Sequence, residues 1–233
     1  MSLLKVNDLV SYIGLFTILQ GVDMDIKQGE AVAILGRNGA GKTTFLRTLM
    51  GLVKTRSGGI EFDGASLVGR ATHKISKLGI GYCPEDYGVF DLLTIEENLI
   101  LAMHKKNAET LDRIAYVLDL FPDLKKAYKR HARTLSGGQR QMLSVGRSLV
   151  NNPKLILIDE PSKGLAPVVI EKMALALKEI AKRSTILLVE QNFHMALIVT
   201  DRYYIIDEGR TVHNGLMQDL ENDKDLQHRH LGL

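Results

Sequence analysis

The stretch Gly36 to Thr44, "GRNGAGKTT", limits what this chain can fold into more than any other. Its glycines let the backbone turn tightly enough for successive N–H groups to converge on one anion. Lys42 adds a mobile ammonium and Thr43 a hydroxyl suited to Mg²⁺. The flanks agree: "AVAIL" (Ala31 to Leu35) is a continuous apolar run such as a buried parallel strand needs, and "KTTFLRTLMGL" after the loop is rich in helix formers. Strand, loop and helix in that order place bound phosphates at a helix N-terminus, where unpaired N–H groups and the helix dipole favour negative charge. Arg37, Asn38, Gly39, Ala40, Gly41, Lys42, Thr43 and Thr44 therefore form the expected phosphate cradle, and nucleotide binding is the starting point.

Composition narrows the class. At 233 residues with 45% hydrophobic content the chain can bury a large core, as one domain with or without an inserted lobe. A net charge of +3 with both signs interspersed gives no nucleic-acid arm, so no nucleic-acid partner is expected. The densest basic run holds Lys125, Lys126, Lys129, Arg130 and Arg133, which share one side if the segment is helical and read best as a solvated face. Cys83 is the only cysteine, which excludes an internal disulfide and fits a reducing compartment. The opening "MSLLKVNDLV" has no export-signal pattern, and no apolar stretch reaches the ~18–20 residues of a membrane span. A soluble or peripheral protein is expected.

Along the chain, Leu3 to Leu35 alternates short apolar segments with turn signals, which predicts antiparallel strands leading into the phosphate-loop strand. "GGIEFDG" (Gly58 to Gly64) reads as a further strand. From Thr94 the character turns helical, opening on a capping box of Thr94 and Glu97, and continues to about Val150. Two apolar runs follow, "LILI" (Leu155 to Ile158) and "TILLV" (Thr185 to Val189), separated by a helix that Pro167 begins. "YYIIDEGRTVHNG" predicts a hairpin turning near Glu208 and Gly209. The predicted fold is α/β: a P-loop NTPase core with a mostly parallel sheet (residues 1–85 and 151–233), an N-terminal antiparallel β subdomain, and an inserted α-helical subdomain (residues 86–150).

Two more stretches carry chemistry. In "LILIDEP", a buried strand delivers Asp159 for the Mg²⁺ shell. Glu160, pointing the other way by strand alternation, is expected to act as general base on a water behind the γ-phosphate. In "LSGGQRQ", Ser136, Gly137, Gly138 and Gln139 stand at the start of a helix whose Met142, Val145, Gly146 and Leu149 form an apolar stripe, making a second anion site. Two such sites on different lobes make a sandwich dimer the economical arrangement.

Together, in this order, the P-loop, "LSGGQ" and "LILIDEP" resemble the ATPase subunit of ABC transporters over essentially the whole chain. The resemblance implies ATP and Mg²⁺, a head-to-tail pair with a second ATPase subunit whose "LSGGQ" closes over the ATP, and two integral membrane permease subunits. It places the protein at the cytoplasmic face of the inner (plasma) membrane. "CPEDYGVFDLLTIEENL", "DEPSKGLAP", "LLVEQN" and "HLGL" look like an ATPase subunit of branched-chain amino acid importers, a group that also serves urea and short amides and works with an external solute-binding protein. Other ABC ATPases, such as those of lipopolysaccharide export, and a degenerate regulatory partner are the alternatives.

Three positions depart from the family pattern. Glu85 replaces the usual glutamine that senses Mg²⁺ and water, Gln191 replaces the switch histidine, and Ala166 replaces an interface aspartate. A carboxylate at Glu85 can still serve the metal, and Gln191 can still donate a neutral hydrogen bond. The resemblance assigns these changes to the importer subfamily, with hydrolysis retained. Thr44 is expected to support the α-phosphate, and Tyr12, with Phe16 in reserve, to stack on adenine or to pack in the core. Permease docking is expected near Tyr87, Phe90 and Leu92.

Overall fold

The computed structural model describes residues 2–232. The alternating segments that open the chain form two long strands, β1 (Ser2–Ile13) and β2 (Phe16–Lys27), paired antiparallel, and β3 (Ala31–Leu35) leads into the phosphate loop. After helix α1 (Lys42–Leu49) come β4 (Thr55–Phe62), β5 (Ala65–Ser66), α2 (Thr72–Lys77) and β6 (Ile80–Cys83). The helical stretch holds α3 (Ile95–Leu101), α4 (Ala108–Leu120), α5 (Pro122–Lys126), a 3-10 turn at Ala132–Thr134 and α6 (Gly137–Leu149). The chain then alternates through β7 (Leu155–Asp159), α7 (Pro167–Ala181), β8 (Thr185–Val189), α8 (Phe193–Val199), β9 (Arg202–Asp207), β10 (Arg210–Leu216), α9 (Met217–Asn222) and α10 (Lys224–Leu231).

Two sheets result. One is antiparallel, in the order β2-β1-β4-β5; the other runs β10-β9-β3-β8-β7-β6 and is parallel except for β10. The uniformly apolar strands are explained by cover on both faces. Ile156, Ile158, Ile186 and Leu188 pack against Leu99, Val117 and Leu143 of the helical stretch, while Leu155, Leu157, Leu187 and Val189 pack with Phe45, Leu49 and Phe62 between the sheets. Cys83 is buried with its thiol beside Ser144, and burial pushes that thiol up to about 12.

Strand order places the chemistry. β8 lies between β3 and β7, so the loops leaving the C-terminal ends of these three neighbours converge, although β3 is more than a hundred residues from the other two in sequence. Such a crevice, where connections leave a parallel sheet in opposite directions, is the general ligand position in open α/β sheets.

The capping box of Thr94 and Glu97, Pro167 at the first turn of α7 and the β9–β10 hairpin all occur as the sequence predicts. The basic run does not form one helical face. Helix α5 ends at Lys126, and Lys125 pairs with Asp119 while Lys129 pairs with Glu96. The expected solvated character holds, since Lys125, Lys126, Lys129, Arg130 and Arg133 are all exposed; the shared helix does not. No described helix is long and apolar enough to cross a membrane.

Candidate functional site

The phosphate loop owes its shape to two glycines. Gly36 has φ 145° and a Cβ there would run into the Ile206 carbonyl; Gly41 has φ 105° and lies against Leu19 of β2. Gly41 also serves as N-cap of α1, so the loop ends on the unpaired first-turn amides of that helix. Lys42 is 5% exposed and curls back over the loop, its Nζ donating to the Gly36 carbonyl at 2.8 Å and the Arg37 carbonyl at 3.0 Å. Burial lowers its pKa, and the nearby Glu160 and Asp159 carboxylates only partly oppose that.

Asp159 ends β7 fully buried. Its Oδ1 accepts from the Thr43 hydroxyl at 3.0 Å, whereas Oδ2 is buried with no partner. Burial, reinforced by Glu160 and Glu85, pushes its pKa up to about 6. A buried carboxylate oxygen lacking a donor, beside a threonine hydroxyl, is a donor set that fits a hard divalent cation such as Mg²⁺.

Glu160 reaches the same site by a different route from the one strand alternation predicts. Its φ is 45°, a left-handed conformation that turns the chain as the strand ends, while its N–H still donates to Val189 at 2.9 Å. The side chain is thereby buried at 8% exposure, with Oε1 3.7 Å from Lys42 Nζ and accepting from Gln191 Nε2 at 2.6 Å. Gln191 also donates to Asn38 Oδ1 at 2.6 Å, tying the phosphate loop to the end of β7.

Glu85 lines a cavity of about 530 Å³ together with Thr43, Arg47, Tyr82 and Asp159, and its carboxylate pairs with Lys163. Sequence reasoning missed Glu190. This residue is 1% exposed and accepts four hydrogen bonds, from the Ser162 N–H and hydroxyl and the N–H groups of Gln191 and Asn192. It joins the loop after β7 to the loop after β8. The available signal was an acid directly after the apolar run "TILLV", the same pattern that flagged Asp159 and Glu160.

Ser136 and Gln139 form a reciprocal capping box at the start of α6, with Gly138 packed on Val169 of α7 and Gly137 near Tyr87 and Leu165. Among the described residues they make no hydrogen bond to the phosphate loop. Tyr12 and Phe16 stand 37% and 76% exposed near the β1–β2 turn, while Ile18 and Leu19 pack at Gly41, so neither aromatic is a core residue. Phe90 and Leu92 are also exposed.

Residues 19–163 match the family described as ABC transporter. The chain is 40% identical over 212 residues to the "High-affinity branched-chain amino acid transport ATP-binding protein BraG" of Pseudomonas aeruginosa, covering 90% of this chain and 91% of that protein. It is 41% identical over 212 residues to the "Probable branched-chain amino acid transport ATP-binding protein LivF" of Archaeoglobus fulgidus, with 89% of each covered. A crystal structure of a nucleotide-free ATP-binding cassette from an ABC transporter superposes with a TM-score of 0.84 at 26% identity, over 97% of both chains. Sequence match and superposition both run through the three-strand crevice in which Lys42, Asp159 and Glu160 meet, and the chain belongs to the ABC transporter family as an ATP-binding, ATP-hydrolysing subunit.

Proposed function

We propose that this ATPase drives import of branched-chain amino acids through two membrane permease subunits, with an external binding protein delivering the solute. The observation that carries the chemical part is the meeting of Lys42, Thr43, Asp159, Glu160 and Gln191 at the ends of adjacent strands. The solute is supported by the names of relatives 40% and 41% identical over about nine-tenths of the chain.

In this reading Arg37 to Thr44 cradle the phosphates of ATP, Lys42 meets the β- and γ-phosphate charge, and Thr44 supports the α-phosphate. Thr43 and Asp159 hold Mg²⁺, with Glu85 able to reach its outer shell; the ion, when bound, neutralises developing phosphate charge. Glu160 takes a proton from the attacking water. Gln191 positions that carboxylate. Tyr12, or Phe16 in its place, stacks on adenine. Ser136, Gly137, Gly138 and Gln139 present first-turn amides of α6 to the γ-phosphate of ATP on a second subunit, which explains an anion-ready helix start lacking any phosphate-loop contact of its own. The permease docks at the exposed Phe90 and Leu92, next to Tyr87, from the cytoplasmic face of the membrane.

Reconstitution tests the whole. In proteoliposomes holding the co-purified membrane subunits and a binding protein, internal ATP drives accumulation of radiolabelled leucine, and Glu160→Gln abolishes both uptake and phosphate release. Phosphate release from wild type no faster than from Glu160→Gln overturns the catalytic assignment; hydrolysis without leucine uptake overturns the solute.

A further inference from the structure

Of the carboxylates gathered at this site, only that of Glu85 finds its partner outside it. Glu85 lines the cavity of about 530 Å³ with Thr43 and Asp159, yet among the described residues its carboxylate bonds to a single group, the Lys163 ammonium. Lys163 stands outside that cavity. Arg47, the cation on the cavity wall, forms no ion pair among the described residues.

The backbone that carries Lys163 is fixed to the end of β7. Its N–H donates to the Glu160 carbonyl at 3.1 Å, and the preceding Ser162 gives both its N–H and its hydroxyl to the buried Glu190 carboxylate. The ammonium is held less firmly: the Lys163 side chain is 61% exposed, against 35% for Glu85. An exposed lysine–carboxylate pair gains little net free energy, because solvent screens it and a long side chain loses freedom. The buried Asp159 Oδ2, which lacks a donor beside the Thr43 hydroxyl, marks the place in the same cavity where a hard divalent cation fits. Such an ion offers Glu85 twice the charge of the lysine, in a less exposed setting.

We propose that Lys163 is a positioning residue that occupies Glu85 until metal arrives, and that the Glu85 carboxylate exchanges this ammonium for Mg²⁺ when Mg²⁺-ATP binds. The inference rests on the reading that Thr43, Asp159 and Glu85 receive Mg²⁺, and it adds the group that competes for the last of them. The sign of its effect is fixed. Glu85 is a third carboxylate, beside Asp159 and Glu160, where a polyanionic nucleotide has to bind, and Lys163 cancels its charge as Lys42 opposes that of Glu160. Lys163 therefore favours ATP without metal. By holding the same carboxylate, it opposes the added affinity that Mg²⁺ brings. Both effects require a charged acid at position 85 and vanish with a neutral amide there.

Binding, not turnover, reads the exchange. The dissociation constant of a fluorescent ATP analogue is measured on the purified subunit in EDTA and in saturating Mg²⁺, with melting temperatures reporting folding. Lys163→Met should weaken binding in EDTA and raise the ratio of the two constants about 3- to 5-fold, the range an exposed pair supplies. Lys163→Arg, which keeps the pair, should follow wild type. In a Glu85→Gln background Lys163→Met should leave the ratio unchanged, because no carboxylate remains to compete for. A Lys163→Met chain with the wild-type ratio overturns the proposal. So does an equal rise with and without Glu85, which reduces Lys163 to a long-range charge. A wild-type chain whose ATP affinity does not respond to Mg²⁺ overturns the metal assignment itself, a different result from a variant that behaves like wild type.

Discussion

The Gln191 side-chain amide donates to Glu160 Oε1 and to Asn38 Oδ1, each at 2.6 Å. These three residues follow β8, β7 and β3, and because β8 runs between the other two, its C-terminal loop is the one able to reach both neighbours. Glu160 is thus held from two sides, by this amide and by Lys42 at 3.7 Å. A neutral donor here orients the carboxylate without the full charge of an imidazolium.

Removing the amide leaves Glu160 free to swing toward Lys42. Gln191→Ala is expected to lower kcat for ATP hydrolysis roughly 10-fold or more with little change in KM, since positioning of a general base acts on the chemical step. Gln191→Glu sets a second carboxylate against Glu160 and should move the acid limb of the pH–rate profile upward. Steady-state phosphate release across pH checks both, and an unchanged kcat in Gln191→Ala shows that the bridge does not matter.

Asp159 gives stability a pH dependence of definite sign. Burial raises its pKa from 3.8 to about 6, so the folded chain holds this proton more tightly than the unfolded one. Its contribution is therefore fully present below the unfolded value and is lost as pH rises through 6. Without nucleotide or metal, the stability gained by Asp159→Asn over wild type should shrink by about 1–2 kcal/mol between pH 7.5 and pH 5. Urea unfolding at the two pH values measures it; a gap that does not change with pH shows that Asp159 is not burdened by burial.

Glu190 is the tie between the two catalytic loops. Four donors point at its carboxylate, and Glu190→Gln places an NH₂ among them, so at least one hydrogen bond becomes a donor–donor clash. The expected cost is about 1–3 kcal/mol, or roughly 2–10 °C in Tm for a chain of this size. Because Ser162 and Gln191 both hang on this group, kcat should fall as well. A variant that melts and turns over like wild type removes Glu190 from the account.

Much of this arrangement is legible in the sequence. The phosphate loop carries its own backbone instructions in glycines, and the apolar runs ending in "DE" and "EQ" mark strands that must be buried on both faces and deliver polar groups at one end. Local signals such as the caps at Thr94 and Ser136 were equally plain. Strand order was not: nothing local says that β8 inserts between β3 and β7, and hence that Gln191 reaches Asn38. The left-handed turn at Glu160 was hidden for the same reason, since glutamate has no intrinsic preference for it and tertiary contacts impose it.

The cap at Ser136 allows the dimer reading to be separated from helix stability. The serine hydroxyl accepts from the Gln139 N–H at 3.3 Å, so Ser136→Ala loses an N-cap worth about 1 kcal/mol as well as any contact across an interface. Aspartate caps a helix as well as serine does, but it brings a negative charge to the point where a partner's γ-phosphate would sit. In a Glu160→Gln background with ATP and Mg²⁺, the subunit should run at twice its monomer mass on size exclusion with light scattering. Ser136→Asp should keep the melting temperature within a degree or two of the parent yet remain monomeric in ATP. An Asp variant that dimerises with ATP like its parent would show that no phosphate approaches this helix start.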